Sequence, residues 1–142
     1  MRALLDVNVL IALLDQDHSL HRRAREWFGG KAHAGWASCP LTQNGCARVM
    51  SHPSYPNAMP VAAVMARLRD AVADSRHEFW PDELSLLDER VADPTRIHGP
   101  RQLTDVYLLA LAVRRGGTFV TFDSSVAVGA IKRAEKKHLV HL

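Results

Sequence analysis

Apolar positions along the chain fall into short blocks with two different periods. Ala3-Leu4-Leu5 is a continuous run of strand length, and Val9, Leu10, Leu13 and Leu14 recur at helical spacing directly after it. Asp6 therefore lies at a strand-to-helix junction. Ser19 is placed to cap a helix through about Phe28, where Gly29-Gly30 should stop it. Gly35 to Ser38 reads as a second strand, Leu41 to Met50 as a helix, and Ser51 to Pro60, with three prolines, as a loop. Val61 to Asp74 returns to helical periodicity, Glu78 to Trp80 reads as a short strand, and Glu83 to Val91 as a further helix. Asp93-Pro94 should end that helix, because proline pushes the residue before it out of the helical region.

In the last third, Thr104 is suited to cap a helix over Asp105 to Arg115, with Leu108, Leu109, Ala112 and Val113 as its apolar face and Gly116-Gly117 as its terminator. Thr118 to Phe122 is the clearest strand of the chain, and it ends at Asp123. A final helix-like stretch should lead to a closing strand at His138 to His141. Short apolar strands alternating with helices imply a parallel sheet covered on both faces. There is no internal repeat and no linker long enough to separate two domains, so residues 1–142 read as a single domain. A chain of this length can bury roughly 70% of its unfolded surface without disulfides or structural metals.

Composition narrows the picture modestly. The chain is 47% hydrophobic, yet no stretch approaches the ~20 uninterrupted apolar residues of a membrane span. Asp6 and Asn8 interrupt the apolar start where a secretory signal needs a continuous core, which predicts a cytoplasmic protein. Cys39 and Cys46 are too far apart for a CxxC pattern and are expected to be small buried residues. A net charge of +3 suits an acidic partner such as nucleic acid without demanding one. The basic residues Arg22, Arg23 and Arg25, Arg114 and Arg115, and Lys132, Arg133, Lys136 and Lys137 read on spacing alone as solvated faces.

The chemistry lies in the acids. Asp6 and Asp123 each follow a strand, where open α/β sheets place their ligands, and Asp105 falls in the first turn of a helix, whose dipole favours its ionised form. Each taken singly also reads as a turn former or cap. Three carboxylates meeting at one mouth would raise one another's pKa unless a cation relieved them, and oxygen donors without nearby histidine or cysteine favour magnesium or manganese. Such an ion suits phosphodiester hydrolysis by activated water.

Three motifs then carry a resemblance over nearly the whole chain. Leu5-Asp6-Val7-Asn8-Val9-Leu10, Thr104-Asp105 followed by Leu109-Ala110-Leu111-Ala112, and Thr121-Phe122-Asp123 resemble the PIN-domain family. The run Pro40-Leu41-Thr42-Gln43-Asn44-Gly45 is similar to the VapC-type toxins within it. The resemblance implies a three-layer α/β/α sandwich with a central, mostly parallel sheet of four to five strands. It implies a Mg2+- or Mn2+-dependent endoribonuclease acting on RNA, a homodimer, and neutralisation by a cognate VapB-type antitoxin. Asp6, Asp105 and Asp123 would be the catalytic, metal-binding acids, with Asn8 orienting the first. Thr121, beside Asp123 in sequence, is a candidate to hydrogen-bond a carboxylate or phosphate, with strand packing as the alternative. Trp27, Phe28 or the helices after Pro60 are candidates for the dimer's apolar surface.

One departure stands out: relatives often carry a glutamate on the helix after the second strand, and Pro40 to Met50 contains no acid. Asn44 or Gln43 is the candidate neutral replacement. Arg48, Arg101 and Gln102 are candidate phosphate contacts, and His98 a candidate loop residue at the substrate. His18, His21 and His98 form no recognised metal pattern. The competing readings are a phosphotransferase using Asp6 as nucleophile, which would want a second acid where Asn8 stands, and a non-catalytic PIN fold that binds RNA or protein.

Overall fold

The computed structural model describes all residues, Met1–Leu142. Five short strands, β1 (Ala3–Leu5), β2 (Trp36–Ser38), β3 (His77–Phe79), β4 (Thr118–Thr121) and β5 (Leu139–His141), form one sheet in the order β3-β2-β1-β4-β5. Every pairing is parallel, with Leu5 opposite Val120 and Thr121 opposite His141. The expected parallel sheet is thus realised with five strands. Its central strands are buried on both faces: β1 is a wholly apolar run, and β4 is buried throughout, with Phe119 and Val120 between two buried threonines.

The helices α1 (Val7–Leu14), α2 (His21–Lys31), α3 (Pro40–Met50), α4 (Val61–Val72) and α5 (Leu103–Arg114) complete three layers. Ala3, Leu5, Trp36 and Val120 face one way, into a core with Val9, Cys46, Val64 and Leu68 of α1, α3 and α4. Leu4, Ala37 and Phe119 face the other, against Leu108, Leu109 and Ala112 of α5. Both cysteines are free and buried, as expected, and burial pushes the Cys46 thiol up to about 12, so it is inert. No helix is long and apolar enough to cross a membrane.

Four expectations about elements fail, each for a local reason. Residues 83–91 form turns and not a helix: Ser85 Oγ accepts from Leu87 N–H at 3.1 Å and Asp88 Oδ1 from Arg90 N–H at 2.9 Å. These side chains offer the backbone an alternative to the helical ladder. The stretch after Asp123 holds only single turns, Val128–Ala130 and Lys136–His138, because Val126, Ala130 and Ile131 are laid individually onto the α5 core and Arg133 takes φ 65. Helix α2 begins after Leu20 with no side-chain cap from Ser19 and runs through Gly29-Gly30 to Lys31, both glycines being exposed with open space around them. Thr104 is inside α5, whose cap position is Gln102, because the turn Pro100–Gln102 feeds directly into the helix.

One close approach positions the site. A Cβ on Gly45 of α3 would stand 2.6 Å from Val7 Cγ2 at the start of α1, so glycine lets α3 close onto the helix that Asp6 caps.

Candidate active site

Asp6 ends β1 and caps α1. Its Oδ1 accepts the Val7 N–H at 2.7 Å, and its own N–H donates to the Val120 carbonyl at 2.9 Å, which pins the junction to β4. Thr121, the last residue of β4 and fully buried, donates its hydroxyl to Asp6 Oδ2 at 2.6 Å. The same Oγ1 accepts the Asp123 N–H at 3.0 Å and the Asn8 amide at 3.3 Å. With one proton to give and two lone pairs filled, that hydroxyl is saturated. It links the first and last acids of the sequence, 117 positions apart, through one oxygen.

Asn8 Oδ1 accepts the Phe122 N–H at 3.4 Å, so the side chain braces both the threonine and the strand end beyond it. On the far side, His141 Nε2 lies 2.9 Å from the Phe122 carbonyl, an acceptor, which fixes Nε2 as the protonated nitrogen. Asp123 Oδ1 accepts both the N–H and the Oγ–H of Ser125, at 2.7 and 2.6 Å. Asp105 sits half-buried in the first turn of α5.

The electrostatics differ among the three. Burial raises Asp6, against the lowering hydrogen bonds from Thr121 and Val7 and with a smaller push from the charge of Asp123. Burial and then the negative charges of Asp6 and Asp123 lift Asp105 to about 7. Asp123 is held below the ordinary carboxylate range, chiefly by the two Ser125 bonds. The sheet therefore gathers the three acids closely enough to perturb one another. As they stand, no three acidic, histidine or cysteine side chains close a coordination shell by themselves.

Other candidates fall elsewhere. Gln43 is half-buried and donates to Ser38 Oγ at 2.9 Å, which in turn meets His77 Nε2 at 2.8 Å. Asn44 is exposed in a groove of about 270 Å³ between α3 and α4, beside Met65 and Leu68. Neither bonds to any of the three carboxylates. Arg48 lines a separate cavity with His52 and Tyr55, and Arg101 is exposed two residues before Leu103. Gln102, read from sequence as a candidate phosphate contact, makes two bonds: His98 N–H donates to its Oε1 at 2.9 Å and its Nε2 donates to the Ser125 carbonyl at 3.0 Å. Ser125 was not singled out above, although Asp-x-Ser is the spacing of a side-chain-to-backbone turn.

The family model for the PIN domain matches residues 3–132, which span all three acids and four of the five strands. The chain belongs to the PIN-domain family. Among curated PIN-domain relatives, it is 54% identical to Ribonuclease VapC44 of Mycobacterium tuberculosis over 142 residues, the whole of both chains. It is 46% identical to Ribonuclease VapC38 of the same organism over 132 residues, 92% of each chain. Two solved structures share the fold at low identity. One is VapBC2 from Rickettsia felis, bound to a DNA fragment from the promoter, with a TM-score of 0.58, 12% identity and coverage of 100% of this chain and 99% of that one. The other is VapC20 of Mycobacterium tuberculosis, described as a Sarcin-Ricin loop cleaving toxin, with a TM-score of 0.62, 9% identity and coverage of 87% and 91%.

Proposed function

We propose that residues 1–142 act as one cytoplasmic PIN domain, the toxin of a type II toxin-antitoxin pair, and that its activity is divalent-metal-dependent endonucleolytic cleavage of RNA. The observation that carries this reading is the joining of Asp6 to Asp123 through Thr121, with Asp105 close enough for both charges to help raise it to about 7. The full-length likeness to relatives named ribonucleases supports it.

The donor set fits magnesium or manganese. All three groups are hard carboxylate oxygens, and their mutual repulsion is what a cation relieves. Magnesium in particular is usually held by one or two carboxylates with water and substrate phosphate, so an open arrangement is no obstacle. Asp6, Asp105 and Asp123 would hold the ion, which supplies an acidified water and neutralises charge on the phosphate.

The chain's own groups prepare that site. Thr121 and the Val7 N–H each fix one oxygen of Asp6, so its plane cannot rotate. Ser125 takes up Asp123 Oδ1 with two donors, which fixes the carboxylate at the end of the strand. Asn8 orients Thr121 and is one step removed from any ligand. A VapB-type antitoxin would neutralise the toxin most simply by laying a peptide across this acidic mouth. A homodimer has exposed apolar area available on α4, at Val61 and Met65.

A non-catalytic PIN fold is the second reading, favoured by the absence of any acid on α3. One experiment separates the two: cleavage of total bacterial RNA by the purified chain with Mg2+, Mn2+ or chelator, beside Asp6→Asn, Asp105→Asn and Asp123→Asn. Discrete fragments that require metal and vanish in the variants support catalysis. Equal inertness of wild type and variants on every RNA class with either metal leaves a binding role.

A further inference from the structure

Asp105, in the first turn of α5 just after the turn Pro100–Gln102, and Asp123, in the turn after β4, are half-buried and come from different parts of the chain. Like charges placed there push these segments apart. Besides the contact between the two carboxyls, the Gln102 side chain joins the segments. Gln102 occupies the cap position of α5, three residues before Asp105, and its amide is engaged at both ends, by His98 N–H at 2.9 Å and the Ser125 carbonyl at 3.0 Å. Ser125 is the residue that doubly grips Asp123 Oδ1. An unbroken path of hydrogen bonds thus runs from the loop before α5, through Gln102 and Ser125, to the carboxylate of Asp123.

We propose that Gln102 is a positioning residue for the divalent-ion site, a latch that sets the separation between Asp105 and Asp123. The proposal rests on the reading that these carboxylates bind such an ion. Three properties suit the amide to this task. It has both a donor and an acceptor, so it can join a carbonyl to an N–H, which neither a lysine nor a carboxylate can do. It is neutral, so it holds two acids together without supplying the positive charge that would compete with a cation. It is held at both ends, so its orientation is set by the two backbone groups it joins.

Because the amide ties the loop before α5 to the turn that holds Asp123, its loss should act on the metal. The test titrates Mn2+ alone into the full chain and reads free Mn2+ by electron paramagnetic resonance, with RNA cleavage against Mn2+ concentration and thermal unfolding measured alongside. Gln102→Glu retains an acceptor for the His98 N–H and cannot donate to the Ser125 carbonyl, whereas Gln102→Leu removes both bonds. Each variant should weaken Mn2+ binding roughly 10-fold or more, the scale seen when a residue orienting a metal ligand is lost. Cleavage should recover to within about threefold of wild type at excess Mn2+, with melting points within about 3 °C.

A residue that merely stabilised the loop would lower the melting point and the rate together, with no rescue by metal. Unchanged Mn2+ affinity in either folded variant overturns the latch while leaving the metal site standing. Failure of the wild type to bind Mn2+ removes the metal reading itself and the latch with it. The two substitutions disturb the loop differently, so if one does not fold the other still decides.

Discussion

Replacing Asp105 by asparagine should stabilise the metal-free protein at neutral and higher pH. The carboxyl is raised from 3.8 to about 7 by burial and by Asp6 and Asp123. At about 1.36 kcal/mol per pH unit, a rise of that size corresponds to at most about 4 kcal/mol against the ionised form. Asp105 is only half-buried, so solvent screening reduces the penalty to about 1–2 kcal/mol.

The sign follows from where the proton sits. Below the ordinary carboxylate pKa, folded and unfolded chains both keep the Asp105 proton and nothing is lost. Between about pH 4 and 7 the folded chain keeps it while the unfolded chain does not, so stability falls as pH rises, and above about 7 the whole penalty applies. In a domain of this size 1 kcal/mol moves the melting point by about 3–4 °C. Asp105→Asn should therefore melt about 3–8 °C above wild type at pH 8 in chelator, and level with it near pH 4. Calorimetry at the two pH values decides the matter. A variant that melts at or below wild type at pH 8, or whose advantage is the same at both pH values, would refute the electrostatic argument. Added Mn2+ should close the gap, since the wild type alone retains the full set of acids.

Two further outcomes are expected. Thr121→Val removes the hydroxyl that serves Asp6, Asp123 and Asn8 together and should cost about 2–4 kcal/mol in urea unfolding, while Thr121→Ser should recover more than half of that; an unaltered valine variant would show that the hub is not stabilising. Gly45→Ala drives a methyl to 2.6 Å from Val7, and the overpacking should outweigh the gain in helix propensity, for a net loss of about 1–2 kcal/mol, measured by the same unfolding curve.

The sequence alone determined the alternation of β1, α1, β2, α3, α4 and the β4 strand, because hydrophobic period is a local property written in the order of residues. It also located Asp6, Asp105 and Asp123 at element junctions, since strand ends and first turns can be read from their flanking residues. It did not determine residues 83–91 or 124–137. Their helical appearance rested on short local patterns, and it gave way to side-chain turns at Ser85 and Asp88 and to piecemeal packing on α5.

Only the tertiary structure decided how the acids are held. That Thr121 would join Asp6 to Asp123 depends on β1 lying beside β4, a pairing across more than a hundred residues that no local pattern encodes. That Gln102 would face Ser125 and not the solvent, and that Gln43 would turn to Ser38, likewise depend on which loops meet at the end of the sheet. Residue type fixes what a side chain can bond to, and the packing of distant segments fixes which partner it finds.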